Sequence, residues 1–265
     1  MRIRKHRLQG KGVEYIESPN QGGPYGEGDL DTIIIHYTAG SSVAGAVETL
    51  CDTQRKVSAH LVIGRDGSIT QLLPFDTIGW HAGQSVWGER QGFNKYSIGI
   101  EIENAGQLEE RDGRFISWFG RDYPAAEVVR AVHRHHVRST CWHCFTQVQI
   151  EVVETLCALL VENYGIRHIL GHDEIAPGRK IDPGPAYPLD ELRARLLYRT
   201  VARQGRAVVG AARLNIRRAP QGKAARVAGF LPRGTALRVL EKAGDWSRIE
   251  VELEGWVAGR HVEEI

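Results

Sequence analysis

The stretch Gly171-His172-Asp173-Glu174-Ile175-Ala176-Pro177-Gly178-Arg179-Lys180-Ile181-Asp182-Pro183-Gly184 cannot be a long regular element. Pro177 and Pro183 fix φ and remove two backbone donors, while Gly178 and Gly184 permit φ values closed to other residues, so the chain is steered along a defined irregular path. Such a path can aim His172 and Asp182 at one point. Upstream, Thr32-Ile33-Ile34-Ile35-His36-Tyr37-Thr38 reads as a buried β-strand that delivers a histidine at its end. Two histidines and one carboxylate are a catalytic zinc shell.

The 265 residues are 42% hydrophobic and 25% charged, enough for a real core and for more than one domain. A net charge of +2 gives no strong field, and no basic patch is dense enough to propose a nucleic-acid partner. Met1 to Arg7 is basic like the start of a signal peptide, but Gln9, Gly10, Lys11, Gly12 and Glu14 stand where its apolar core belongs, so no Sec signal is visible. No apolar run approaches the length of a membrane-spanning helix. Synthesis in the cytoplasm is the expectation, with no membrane insertion and a monomeric state.

Cys141-Trp142-His143-Cys144 is a lone C-x-x-C without the second pair of a structural zinc site, and with Cys51 and Cys157 these thiols read as buried or incidental. Ala125 to Arg138 reads as a helix whose histidines (His133, His135, His136) form a solvated face. Thr146 to Tyr164 is a firmer helix, with Val148, Val152, Leu156, Leu159 and Leu160 at helical spacing and Gly165 as its stop. Asp190 to about Arg203 is a last amphipathic helix. Ser58 to Leu72 reads as two strands joined by Asp66-Gly67, and Tyr96 to Asn104 as a strand with Glu101 and Glu103 on one face. Strands, then helices, then the ligand loop make a mixed α/β domain. After Gly205 short alternating strands between Gly and Pro indicate a small all-β barrel.

A catalytic zinc needs three protein ligands and an open position, and His36, His172 and Asp182 satisfy that count. Glu101 is the candidate base and Lys180 a candidate oxyanion partner. From spacing alone each residue keeps a structural alternative: a buried hydrogen-bonded histidine, a capping aspartate, a solvated glutamate.

The run Ile34 to Thr38, Ser58-Ala59-His60 with Gly67 to Gln71, Gly79-Trp80-His81-Ala82-Gly83, Ser97 to Glu101 and the Gly171 to Gly184 loop together closely resemble the amidase-2 type of zinc N-acetylmuramoyl-L-alanine amidases, over roughly Asp31 to Leu197. The resemblance implies a mixed central sheet flanked by helices. It also implies one zinc held by His36, His172 and Asp182, with Glu101 as base and Lys180 as electrostatic helper. The aspartate at 182, where zinc-bearing peptidoglycan recognition proteins have cysteine, resembles the AmpD-like side of the family. His60 and His81 then line a substrate groove or brace the metal shell, and Trp80, Trp87 and Asn94 are candidate contacts to sugar or peptide. Leu214 to Arg217, Pro220, Gly234-Thr235, Gly244-Asp245-Trp246 and Gly255-Trp256-Val257 resemble a bacterial SH3-type domain, which implies cell-wall binding.

The expected organisation is an extended lead-in at 1–30, a zinc amidase domain at 31–203, a linker at 204–209 and an SH3-like domain at 210–265. The expected activity is hydrolysis of the amide between N-acetylmuramic acid and L-alanine in peptidoglycan or muropeptides. The alternatives are a non-catalytic peptidoglycan-binding protein and a zinc peptidase of ordinary peptides. Action in the periplasm or envelope follows if the chain is exported or released, and cytoplasmic muropeptide recycling if it is not.

Overall fold

The computed structural model describes residues 1–202, 206–210, 213–219, 221–222, 224, 226–243 and 246–251. They form two compact units, Met1–Leu192 and Arg193–Ile265. The first opens with a hairpin, β1 (Arg2–Arg4) and β2 (Arg7–Gln9), followed by β3 (Val13–Tyr15) and β4 (Thr32–Tyr37). Helix α1 (Val43–Cys51) leads to β5 (Leu61–Ile63) and β6 (Ile69–Gln71), then to a small ribbon, β7 (Val86–Trp87) and β8 (Arg90–Gln91), and to β9 (Ser97–Ile102). Strands β10 (Gln107–Arg111), β11 (Arg114–Ile116), β12 (Asp122–Tyr123), β13 (Val128–Val132) and β14 (Ser139–His143) come next. Helix α2 (Gln147–Tyr164), β15 (His168–Gly171), the single turn α3 (His172–Ile175) and α4 (Leu189–Ala202) complete the passage.

The central sheet runs β15-β4-β9-β5-β6-β3. It is mixed: β15, β4, β9 and β5 are parallel, β6 is antiparallel to β5, and β3 is parallel to β6. Ile33, Ile34, Ile35, Ile98 and Ile100 are all fully buried, as an apolar run covered on both faces requires. The Asp66-Gly67 turn forms as expected, with Gly67 at φ +83°.

Residues 1–30, read as a lead-in outside the folded unit, instead belong to it. β3 pairs with β6, and the Asn20 amide donates to the carbonyls of Leu50, Asp52 and Val57. Its Gly and Pro content serves extended edge pairing, not detachment.

α2 begins with a capping box of Thr146 and Gln149 and ends at Gly165 in the left-handed region. Its buried face is Gln149, Val153, Leu156, Cys157 and Leu160, whereas Val148 is 46% exposed. The face is rotated from the expected one because the Gln149 amide is tied down inside, donating to the Glu103 carbonyl.

The segment at 104–142 folds as its own antiparallel sheet, β12-β11-β10-β14-β13. Ala125 to Arg138 is therefore not a helix: a short 3-10 turn, Ala125–Glu127, passes into β13. Val128, Val129 and Val132 prefer a pleated surface, and pairing with β14 (Val128 opposite His143, Val132 opposite Ser139) decides the matter. The four cysteines are free thiols.

In the second unit, β16 (Arg206–Val208), β19 (Ala236–Ala243) and β20 (Trp246–Glu250) form one sheet, and β17 (Arg213–Arg217) pairs with β18 (Arg226–Pro232). Val209, Leu231 and Leu237 are its core. Pro220, Gly244, Asp245 and Gly255-Trp256-Val257 lie outside the described residues.

Candidate metal centre

Parallel pairing assembles the site. β15 lies beside β4 with Gly171 opposite Ile35, so the residue after each, His172 and His36, emerge together at the strand ends. Asp182 returns because the backbone N–H of Asp173 donates to its carbonyl at 2.8 Å, and because a turn at 176–180 closes with Lys180 N–H donating to Ala176 O. His36 Nδ1 and His172 Nδ1 are 2.9 Å apart, and each is 3.0 Å from Asp182 Oδ2. His36, His172 and Asp182 are the only His/Cys/Asp/Glu group among the described residues that could hold a metal ion.

The acceptors around the two histidines set their tautomers. His172 Nε2 faces the Ala82 carbonyl at 3.2 Å and must donate to it, which leaves Nδ1 with its lone pair. His81 Nε2 lies 3.1 Å from the Ser97 carbonyl and donates there, so His81 Nδ1 accepts from His36 Nε2 at 3.0 Å. His36 Nδ1 is thereby also left with a lone pair. Three acceptors about 3 Å apart repel one another unless a cation lies among them, and this donor set fits a divalent ion that takes nitrogen and oxygen ligands. Burial, reinforced by His172, pushes the His36 imidazole down to about 4, so it is neutral and ready to coordinate at pH 7.

Glu101 lies opposite His36 in the β4–β9 register and points to the same face. Its Oε2 is buried without a hydrogen-bond partner. Burial raises its carboxyl well above the ordinary range, with Asp182 adding to the rise and Lys180 opposing it. Lys180 thus stands near enough to act on both Glu101 and His36 electrostatically.

His81 and His60 extend the row. Ring centroids are 5.1 Å apart for His36–His81 and 5.8 Å for His60–His81. The His81 ring fills the space above Gly99, where a Cβ would lie 2.5 Å from it, so β9 needs glycine there. His60 is fully buried, accepts from Gly99 N–H and donates to Thr77 O. Asn94 Oδ1 accepts from the backbone N–H of His81 and Ala82, which fixes the very carbonyl that orients His172. His81 and Asn94 are thus bonded into the network around His36 and His172, and His60 packs against His81. Trp80 is half-buried, its N–H held by Ser58 Oγ. Trp87 packs on His168, at the start of β15 and the far end from His172.

Two residues went unread in the sequence. His133, expected on a solvated helix face, is 1% exposed and donates from Nε2 to Asp173 Oδ2 at 3.0 Å. Arg134 pairs with Asp173 and Glu174, and His135 donates to the Asp173 carbonyl. The β13–β14 turn therefore clamps α3, the turn that carries His172. Trp142 of β14 backs the other side of the ligand loop, its ring lying where a Cβ on Gly184 would fall at 2.7 Å. The only sequence signal was the adjacency of Asp173 to His172.

Residues 26–185 match the N-acetylmuramoyl-L-alanine amidase family (Amidase_2), and residues 212–263 match the bacterial SH3 domain. Among curated relatives, the 1,6-anhydro-N-acetylmuramyl-L-alanine amidase AmpD of Escherichia coli (strain K12) is 34% identical over 54% of this chain and 58% of its own length. The N-acetylmuramoyl-L-alanine amidase AmiD of the same organism is 30% identical over 62% of this chain and 52% of its own length. The chain thus spans little more than half the length of either relative. A selenomethionine AmpD derivative of known crystal structure superposes with a TM-score of 0.53 at 24% identity, covering 73% of this chain and 98% of that one, which supports the fold. With a family match extending over more than half of its length, the chain belongs to the N-acetylmuramoyl-L-alanine amidase (amidase-2) family and carries a bacterial SH3 domain after it.

Proposed function

We propose that this chain is a zinc-dependent hydrolase of the amide that joins the lactyl group of N-acetylmuramic acid to L-alanine, in peptidoglycan or in muropeptides released from it. The observation that carries the reading is the convergence of His36 Nδ1, His172 Nδ1 and Asp182 Oδ2 beside Glu101, whose Oε2 is buried without a hydrogen-bond partner. The names of the AmpD and AmiD relatives support the bond chosen. Zinc held by His36, His172 and Asp182 would supply Lewis acidity toward a water and the scissile carbonyl.

The chain's own residues do the rest. Glu101, with no hydrogen bond to compete for Oε2, accepts a proton from the attacking water and returns it to the departing L-alanine amine. The Lys180 ammonium donates toward the oxyanion that develops on the carbonyl. His81, Asn94 and the Ala82 carbonyl hold the two imidazoles in their coordinating tautomers, so no reorientation accompanies the reaction. A protein that only recognises the wall would need neither Glu101 nor this relay. The SH3 domain is proposed to bind cell wall and so tether the catalytic unit to its substrate. No helix among the described residues is long and apolar enough to cross a membrane.

The test is mass spectrometry of peptidoglycan and of soluble muropeptides after incubation with the protein, with chelator and with zinc restored. Free peptides beginning at L-alanine, lost with chelator and regained with zinc, support the reading. Cleavage of a plain peptide at equal rate, or retention on the wall without release, overturns it.

A further inference from the structure

A cavity of about 450 Å³ opens beside the metal centre, between the end of β4 (Tyr37, Ala39), the sheet at 104–142 (Gln107, Glu109, Trp118) and Ile181. Two of its lining residues, Tyr37 and Ile181, directly follow His36 and directly precede Asp182 in the chain, so the cavity adjoins the metal centre. Its size is that of a small-ligand pocket.

Trp118 dominates the wall. It is 77% exposed, yet its indole N–H donates to the Ala39 carbonyl at 2.8 Å and Phe119 meets it edge-on with centroids 5.6 Å apart. An indole held in place with its ring in solvent offers a flat stacking surface. Glu109 is the one charged residue among the described residues that line the cavity, and its carboxylate is already taken by Arg111. The wall therefore offers no cation to the carboxylates of a stem peptide. It offers an aromatic ring and the neutral polar group of Gln107, which suit the C–H face and the hydroxyl and acetamido groups of an uncharged pyranose.

We propose that this cavity is a saccharide subsite that holds an N-acetylated hexosamine of the glycan strand next to the muramic acid under attack, with Trp118 as its stacking surface. It rests on the amidase reading given above. It makes this chain selective for substrates that keep more than one sugar.

The experiment has two arms. In the first, kcat/KM is measured on muropeptides bearing one, two and four sugars. The gain from one sugar to four falls about tenfold in Trp118→Ala, about 1.4 kcal/mol, and Trp118→Phe, which keeps a ring, retains most of it. In the second, calorimetry follows binding of the peptide-free tetramer of N-acetylglucosamine to full-length Glu101→Gln protein with and without Trp118→Ala, and the affinity falls in the double variant. Equal losses at every sugar number, or tetramer affinity independent of Trp118, overturn the subsite. If the wild-type protein cleaves no muropeptide, the amidase reading fails, and the second arm still decides whether Trp118 binds saccharide.

Discussion

The two larger sheets of the first unit are built from opposite materials. In the central sheet, β4 and β9 are buried along nearly their whole length, whereas in the sheet at 104–142 β10, β11 and β13 are mostly half-buried or exposed and burial is confined to a few residues such as Leu108, Tyr123, Cys141 and Trp142. That second sheet is laced by exposed ion pairs, Arg111–Glu109, Arg114–Asp122 and Arg130–Glu110. Such pairs add little stability each. Yet this loosely buried sheet sends two buried side chains, His133 and Trp142, against the loop that carries His172 and Asp182. The proposed chemistry lies at strand ends of the central sheet, while the other sheet touches that site at a few points. Stability and function are thus separable by region.

The largest effect expected is on the central sheet's catalytic position. Glu101→Gln lowers kcat by about 10²–10⁴-fold, while zinc content measured by atomic absorption stays that of the wild type. Loss of metal along with turnover would move Glu101 into the ligand set. Ile98→Ala, in the same strand and fully buried, costs about 2–5 kcal/mol in denaturant unfolding. A cost near zero would mean that the central sheet is not the rigid partner in the comparison.

Asp31 sharpens the contrast between buried and exposed charge. It is 3% exposed and accepts from Arg90 at 2.9 and 3.0 Å and from Arg167 at 2.8 Å. Burial works against its charge, but the hydrogen bonds from Arg90 and Thr32 prevail, so its folded-state pKa lies below the unfolded one. Its stabilisation is therefore full above the unfolded value and is lost as pH falls through the folded one. Asp31→Asn should cost about 1.5–3 kcal/mol at pH 7, and the difference in melting temperature from wild type should close on acidification below the ordinary aspartate range. A gap that widened in acid would reverse the assignment.

The clamp is next in size. His133→Ala, in the β13–β14 turn, and His81→Ala, in the segment between β6 and β7, should each weaken zinc binding about 10–100-fold in competition with a chromophoric chelator. An unchanged affinity for His133→Ala would reduce the β13–β14 turn to mere packing. Arg111→Ala, on the exposed side, should move the unfolding free energy by no more than about 1 kcal/mol.

Much of the central sheet was legible because its signals are local. The isoleucine run before His36, the Asp66-Gly67 turn, the helical spacing from Thr146 to Tyr164 with Gly165 as its stop, and the Gly/Pro loop around His172 each state their geometry within a few residues. The sheet at 104–142 was not, because its identity is decided by partners at a distance. Val128 to Val132 became a strand by pairing with β14, and the histidine turn was buried by Asp173, 40 residues away. His60 and His81 were legible as site neighbours, but not the carbonyl that each ring meets, Thr77 for His60 and Ser97 for His81. The N-terminal segment misled for the same reason: β3 is ordered by β6, not by its own composition.

His36 and Asp182 are separated by 146 positions in the chain, and β15 reaches its place beside β4 only after the whole intervening polypeptide exists. During synthesis from the N-terminus, His36 and Glu101 emerge long before the partners that would arm them. A nascent or interrupted chain thus holds half a site, inert toward any bond. The order of the strands is in this sense a timing device, by which a chain read here as able to cut the wall acquires that capacity only near the completion of its catalytic unit.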